Sequence, residues 1–117
     1  MTSYELEQQE TDDPSVVLVA VRGELDLTNA RELEERLEEL PGNGSTSLVL
    51  DLNRTVFIDS AALHVLFKTA RRLGKDHFGV LYEPTAAVAR TLAIVGVPTV
   101  ATSGASRDEL VAELSTT

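Results

Sequence analysis

Three groups of residues in this chain have types and spacing that could do chemistry. Asp59-Ser60, with His64 four positions after the serine, brings together an acid, a hydroxyl and an imidazole. Asp51 closes the apolar run Leu48-Val49-Leu50 and has Asn53 two positions on. Gly42-Asn43-Gly44 has the glycine content of a phosphate-holding loop. A serine hydrolase needs a base, an orienting acid and an oxyanion hole around its nucleophile. Ser60 and His64 share a helical face, but such neighbours keep their Cβ atoms ~5–6 Å apart, which does not preset a hydroxyl–imidazole bond. The Gly-x-Ser-x-Gly elbow is absent. His64 is therefore expected at the surface or beside the site, and His77 in a turn. Phosphoaspartate chemistry is better motivated, because Asp51 falls near a strand's carboxyl end, where open α/β sheets place their sites. Its usual partner acid is Asn53 here, which removes the general acid and weakens metal binding. Asp51 is expected instead to fix the loop after it through backbone N–H bonds. Gly42-Asn43-Gly44 lacks the lysine and glycine spacing of a phosphate cradle and reads as a turn. No His, Asp and Glu cluster has metal-site spacing, so no catalytic residue, metal or cofactor is expected.

The elements that position these groups emerge from apolar periodicity. Tyr4-Glu5-Leu6-Glu7 alternates as an edge strand, and Thr11 to Pro14 forms a polar turn. Val16 to Val21 is nearly continuous in apolar character, as a strand covered on both faces is, and stops at Gly23. After the loop Glu24-Leu25-Asp26-Leu27, Thr28 or Asn29 caps a helix whose Ala30, Leu33, Leu37 and Leu40 share one face. Pro41-Gly42 ends it, and its Glu-rich outer side reads as a solvated face. Ser47 to Leu52 is a buried strand. Past Val56-Phe57-Ile58, Leu63, Leu66, Phe67, Ala70 and Leu73 form the stripe of a second helix, capped by Asp59 or Ser60. With Asp59 as cap, Ile58 and Leu63 have the spacing of a hydrophobic staple. Gly74-Lys75-Asp76 turns into a strand at Phe78 to Tyr82. A third helix opens at Pro84-Thr85, with Val88, Leu92 and Val95 on one side, and closes at Gly96-Val97-Pro98. Thr99-Val100-Ala101 is a short strand, and Ser106 to Glu109 is a capping box before a fourth helix. The pattern predicts an α/β domain over residues 1–117: an antiparallel N-terminal strand pair, then alternating parallel strands and about four helices. The termini, 1–3 and 115–117, are expected to fray.

Asp59-Ser60 after Val56-Phe57-Ile58, together with Arg22-Gly23-Glu24-Leu25-Asp26 and Thr28, resembles the STAS domain, specifically the small bacterial anti-sigma factor antagonists. The similarity runs over nearly the whole chain and implies a STAS-like mixed sheet. It also implies a non-enzymatic switch: the protein binds an anti-sigma factor that is also a serine kinase, frees the sigma factor, and lets go when Ser60, directly after the motif aspartate, is phosphorylated. The implied contact surface comprises Glu24, Asp26, Thr28, Asp59, Ser60, His64 and Lys68. Phosphorylation adds about −1.5 to −2 charge, which a helix mouth tolerates and an acidic interface near Asp26 and Asp59 does not. The chain departs from the family pattern at Ala61 and Ala62, where Ser or Thr and then Gly are usual. Alanine suits a helix better than glycine by ~0.8–1 kcal/mol, while the added methyl is expected to crowd a partner loop. The alternatives are a constitutive STAS adaptor in a signalling scaffold or transporter complex, with Ser60 only a cap, and a small phosphatase or hydrolase acting through Asp51 or Ser60.

Composition bounds the rest. A chain of 117 residues, 43% hydrophobic, suits one core. The net charge of −9, from 19 acidic and 10 basic residues, argues against a nucleic-acid partner and favours a partner with a basic face. With no cysteine there is no disulfide or thiol metal site. Met1-Thr2-Ser3-Tyr4-Glu5 lacks the basic and apolar regions of a secretory signal, and no apolar run approaches the ~20 residues needed to cross a bilayer. The expectation is a cytoplasmic monomer or weak dimer without membrane insertion.

Overall fold

The alternation at the N-terminus becomes β1, Tyr4–Glu10, antiparallel to β2, Val16–Leu25. The computed structural model describes residues 4–41 and 45–115. The turn expected at Gly42-Asn43-Gly44 and the fraying expected at 1–3 and 116–117 lie outside the described residues. Three further strands come next, β3 at Ser47–Ile58, β4 at Phe78–Leu81 and β5 at Thr102–Gly104. They extend the sheet in the order β1-β2-β3-β4-β5, and every pairing after the first is parallel. The helices are α1, Ala30–Glu39, α2, Ser60–Leu73, α3, Ala89–Ile94, α4, Val97–Val100, and α5, Arg107–Leu114. None is long and apolar enough to cross a membrane.

Alternation along β2 explains its unbroken apolar character. Val17, Val19 and Val21 enter the larger core with Leu33 and Leu37 of α1 and Val65 and Leu66 of α2. Val16 and Leu18 point the other way, into a smaller core with Val49, Leu81 and the α5 residues Leu110, Val111 and Leu114. Ser106 caps α5 as expected, the Glu109 N–H donating to its Oγ at 3.3 Å. Ser47 Oγ donates to the Leu114 carbonyl at 2.9 Å, tying the end of α5 to the start of β3. On the other side of the sheet, Arg72 of α2 donates to the Leu37 and Leu40 carbonyls at the end of α1, satisfying acceptors that the last turn leaves open. At one edge of the sheet, β1 exposes Glu5, Glu7, Gln8 and Glu10.

Four boundaries differ from the sequence reading, each for a local reason. β2 does not stop at Gly23 but runs to Leu25, because Gly23 takes φ 99° and absorbs a register shift against β3. β3 is continuous from Ser47 to Ile58, which puts Asp51 inside the strand rather than at its end. Asp51 Oδ1 does accept the Asn53 N–H, at 3.0 Å, and Asn53 Nδ2. The chain nevertheless continues past Asn53 as strand and not as a loop, the ladder shifting register between Ala20 and Arg22. The third helix begins only at Ala89 and ends before Gly96, whose φ of 86° breaks it and leaves Val95 39% exposed instead of buried. Pro98 then opens a new turn, as a residue without N–H does readily in a first turn. Thr99 and Val100 are consequently helical and not strand, and the last strand shifts to Thr102–Gly104. The described residues thus hold five helices where about four were expected.

Gly79 is the tightest point under α5. A Cβ there would lie 2.6 Å from Leu114 Cδ1 and 3.2 Å from Leu110 Cγ, both side chains being buried. Gly79→Ala is expected to destabilise the protein by about 1–3 kcal/mol through overpacking, read as a lower urea midpoint with an unchanged m-value.

Candidate functional site

β2 and β3 end side by side, with Leu25 opposite Ile58, so the segments beyond them emerge together. The Asp59 N–H donates to the Leu25 carbonyl at 3.0 Å. Asp59 is the extended N-cap of α2, one of the two alternatives the sequence offered, and its Oδ1 accepts the N–H groups of Ala61 and Ala62 at 3.0 and 3.1 Å. Its other oxygen, Oδ2, accepts the Leu27 N–H at 3.0 Å. One carboxylate therefore fixes both the helix mouth and the tip of the preceding loop.

That loop is braced from within. Asp26 Oδ1 accepts the N–H and hydroxyl of Thr28. Asn29 holds the N-cap position of α1, but its side chain does not cap the helix. It turns back, accepting the Asp26 N–H at 3.0 Å and donating to the Glu24 carbonyl at 2.8 Å, and is nearly buried. The Ala30 N–H is satisfied by the Asp26 carbonyl instead. With the loop held in this way, Leu27 is left 77% exposed at its tip.

Ser60 is the first residue of α2. It is exposed, and its hydroxyl has no hydrogen-bond partner among the described residues. Leu27, Arg31 and Glu34 face Ser60, Ala61 and His64 across a groove between α1 and α2. Lys68 lies one turn beyond His64 and is ion-paired with Glu34 across the two helices. The hydrogen bond from Lys68 holds the Glu34 carboxyl below its ordinary value, and the charges of His64 and Arg31 add to that. Ala62 is fully buried, so the methyl at the family's glycine position packs into the core and does not crowd a partner. Ala61 lies at the groove, half-buried.

The structure brings Ser60, Asp59 and His64 to one end of the molecule, with Lys68 tied to Glu34 beside them. Asp26 and Thr28 lie in the adjoining loop, and Glu24 at the end of β2 just before it. It does not assemble a triad: no Ser60–His64 hydrogen bond is present among the described residues, and both Asp59 oxygens accept backbone N–H groups. Asp51 belongs elsewhere, on a sheet face with Glu5, Glu7, Arg22 and Arg54. His77 is in a turn as expected, with Nδ1 3.0 Å from Ser47 Oγ. Sequence reasoning missed Arg31 as a site residue, did not single out Leu27 within the loop from Glu24 to Thr28, and did not foresee the exposure of Val56 and Phe57. The latter two are 62% and 48% exposed because β3 runs on past the last β4 pairing at Asp51. An apolar residue between Asp26 and Thr28, outside any strand or helix period, was the available signal for Leu27.

The family model of the STAS domain matches residues 6–109. The chain belongs to the STAS domain family. The anti-sigma-F factor antagonist RsfB of Mycobacterium tuberculosis is 35% identical over 71 residues, which are 60% of this chain and 58% of that protein. The crystal structure of an anti-sigma factor antagonist from Mycobacterium paratuberculosis superposes with a TM-score of 0.81 at 27% identity, covering 96% of this STAS domain chain and 94% of that one. Bacillus SpoIIAA in its phosphorylated form shares the fold, with a TM-score of 0.63 at 15% identity over 96% of this chain and 99% of that one.

Two measurements check the site's electrostatics. In Asp59→Ala the amides of Leu27, Ala61 and Ala62 should all exchange faster, with a loss of about 1–2 kcal/mol of stability from the missing cap. Asp59→Asn keeps one acceptor for the helix but only one, so protection should fail at one of the two ends. Unchanged exchange at Leu27 in the alanine variant would exclude the bridge. The lowered carboxyl of Glu34 gives stability that is present above its unfolded value near 4.5 and lost as pH falls through the folded value. Lys68→Ala should move the Glu34 carboxyl titration, followed by NMR, back up toward that value.

Proposed function

We propose that this STAS domain is an anti-sigma factor antagonist, switched off by phosphorylation of Ser60. The observation that carries the reading is the exposed Ser60 hydroxyl, presented at the rigid mouth of α2 directly after the capping Asp59, in a chain similar to anti-sigma factor antagonists. Unphosphorylated, it binds an anti-sigma factor with serine kinase activity in the cytoplasm and so releases the sigma factor. It performs no catalysis of its own.

Glu24, Asp26, Thr28, Asp59, Ser60, His64 and Lys68 form the contact surface, and Leu27 adds an apolar anchor at its centre. Asp26 and Asp59 act chiefly by shaping that surface, since Asp26 Oδ1 and both Asp59 oxygens accept N–H and O–H groups of the chain itself. Their charge still favours a basic partner face and sets its orientation. In the switching step, the partner's bound ATP loses its terminal phosphoryl group to Ser60 Oγ. The O–P bond forms as the terminal phosphoanhydride bond breaks, ADP leaves, and the hydroxyl proton passes to a base on the partner. The new dianion sits at the positive end of α2, so the fold survives. It stands beside Asp59 at the contact surface, so binding does not.

Ser60→Asp is expected to weaken capture of the cognate anti-sigma factor about tenfold or more, from the cost of like charge at the interface. Ser60→Ala should bind as tightly as the native chain and no longer respond to ATP. Equal affinities of the two variants, measured by titration calorimetry, would exclude the switch. Intact-mass analysis after incubation with that partner and ATP should show one added phosphoryl group in the native chain and none in Ser60→Ala. An unmodified native chain would point instead to a constitutive adaptor.

A further inference from the structure

The groove beside Ser60 holds a local excess of positive charge in a chain that is strongly acidic overall. Arg31 of α1 and His64 of α2 line it with Ser60, and the one acidic side chain lining it, Glu34, is ion-paired with Lys68. Neither Arg31 nor His64 takes part in a salt bridge among the described residues. Ser60 and His64 are four residues apart on one helical face, at a distance where side chains meet. Arg31 reaches the groove from the first turn of α1, a helix locked against α2 by the Lys68–Glu34 pair and by Arg72.

We infer that Arg31 and His64 form a clamp that holds a phosphate on Ser60 in cis, laying it into the α1–α2 groove. The inference rests on Ser60 being the phosphoacceptor. A guanidinium is suited to two parallel hydrogen bonds with phosphate oxygens, and an imidazolium adds a second charge. The charged groups around His64 are Arg31 and Glu34 from α1, Lys68 one turn along α2, and Asp59 at the helix mouth. Glu34 opposes the phosphate, and its pairing with Lys68 offsets that opposition. The clamp gives phosphorylation a second consequence besides repulsion: the filled groove between Leu27 and α2 is closed to any side chain of the partner. It also makes the phosphorylated form sensitive to pH. The imidazolium–dianion contact is strongest between the two midpoints: it is lost as pH rises and the imidazole gives up its proton, and it weakens as pH falls and the phosphate takes up its second.

The test uses the full chain with phosphoserine installed at position 60 during translation, so it needs no kinase and stands apart from whether one modifies this protein. The ring protons of His64 and the phosphorus resonance are followed by NMR against pH. On phosphorylation, the His64 midpoint should rise by about 1 unit, the second phosphoserine pKa should fall below its usual ~6, and His77 should not move. Arg31→Ala and His64→Gln should each bring the phosphoserine titration back toward that of an unfolded phosphopeptide of the same sequence. A His64 midpoint that is the same with and without phosphate would overturn the clamp. A phosphorus titration unchanged in Arg31→Ala would overturn it too, because the helix mouth alone would then account for the shift.

Discussion

Two oxygens of one aspartate hold the working end of this molecule together. Parallel pairing of β2 with β3 delivers two segments to the same place, but nothing in strand pairing fixes how they leave it. Asp59 does that by accepting N–H groups from the loop tip with one oxygen and from the first turn of α2 with the other. Hydrogen bonds to an ionised acceptor are stronger than neutral ones, and these three satisfy backbone donors that a helix start and a tight loop would otherwise leave open. The exposure of Leu27 and of Ser60 is a result of that arrangement. An apolar side chain and a hydroxyl are held out because the backbone beneath them has no other place to go.

Much of this was legible in the sequence wherever a strong period coincided with an end signal. The stripe on α2, the Asp59 cap, the Ser106 cap and the doubly covered β2 all combine a repeat of apolar residues with a polar residue of the right type at its boundary. The misses share a cause as well. Gly23 and Pro98 were read as stops, whereas one is a bulge inside β2 and the other lies in the first turn of a new short helix, only Gly96 ending its element as read. Glycine and proline specify a backbone conformation, and whether that ends an element depends on the neighbours supplied by the fold.

The candidate site was legible in part for a related reason. Its polar members succeed one another in two short motifs, so sequence order alone gathers them. Arg31 comes to Ser60 only through the packing of α1 on α2, and no spacing along the chain encodes that. The same packing settles Ala62. From the sequence its methyl is a bulge on a docking surface, and in the fold it is part of the core.

The acidic side chains along β1 carry a wider consequence. Exposed glutamates on one outer strand, and only three residues in the other, leave neither margin of the sheet suited to recruiting an extra strand. Recognition that does not extend the sheet is read from side chains on preformed loops and helix ends rather than from main-chain ladders. Specificity on such a platform can drift by single substitutions without loosening the scaffold.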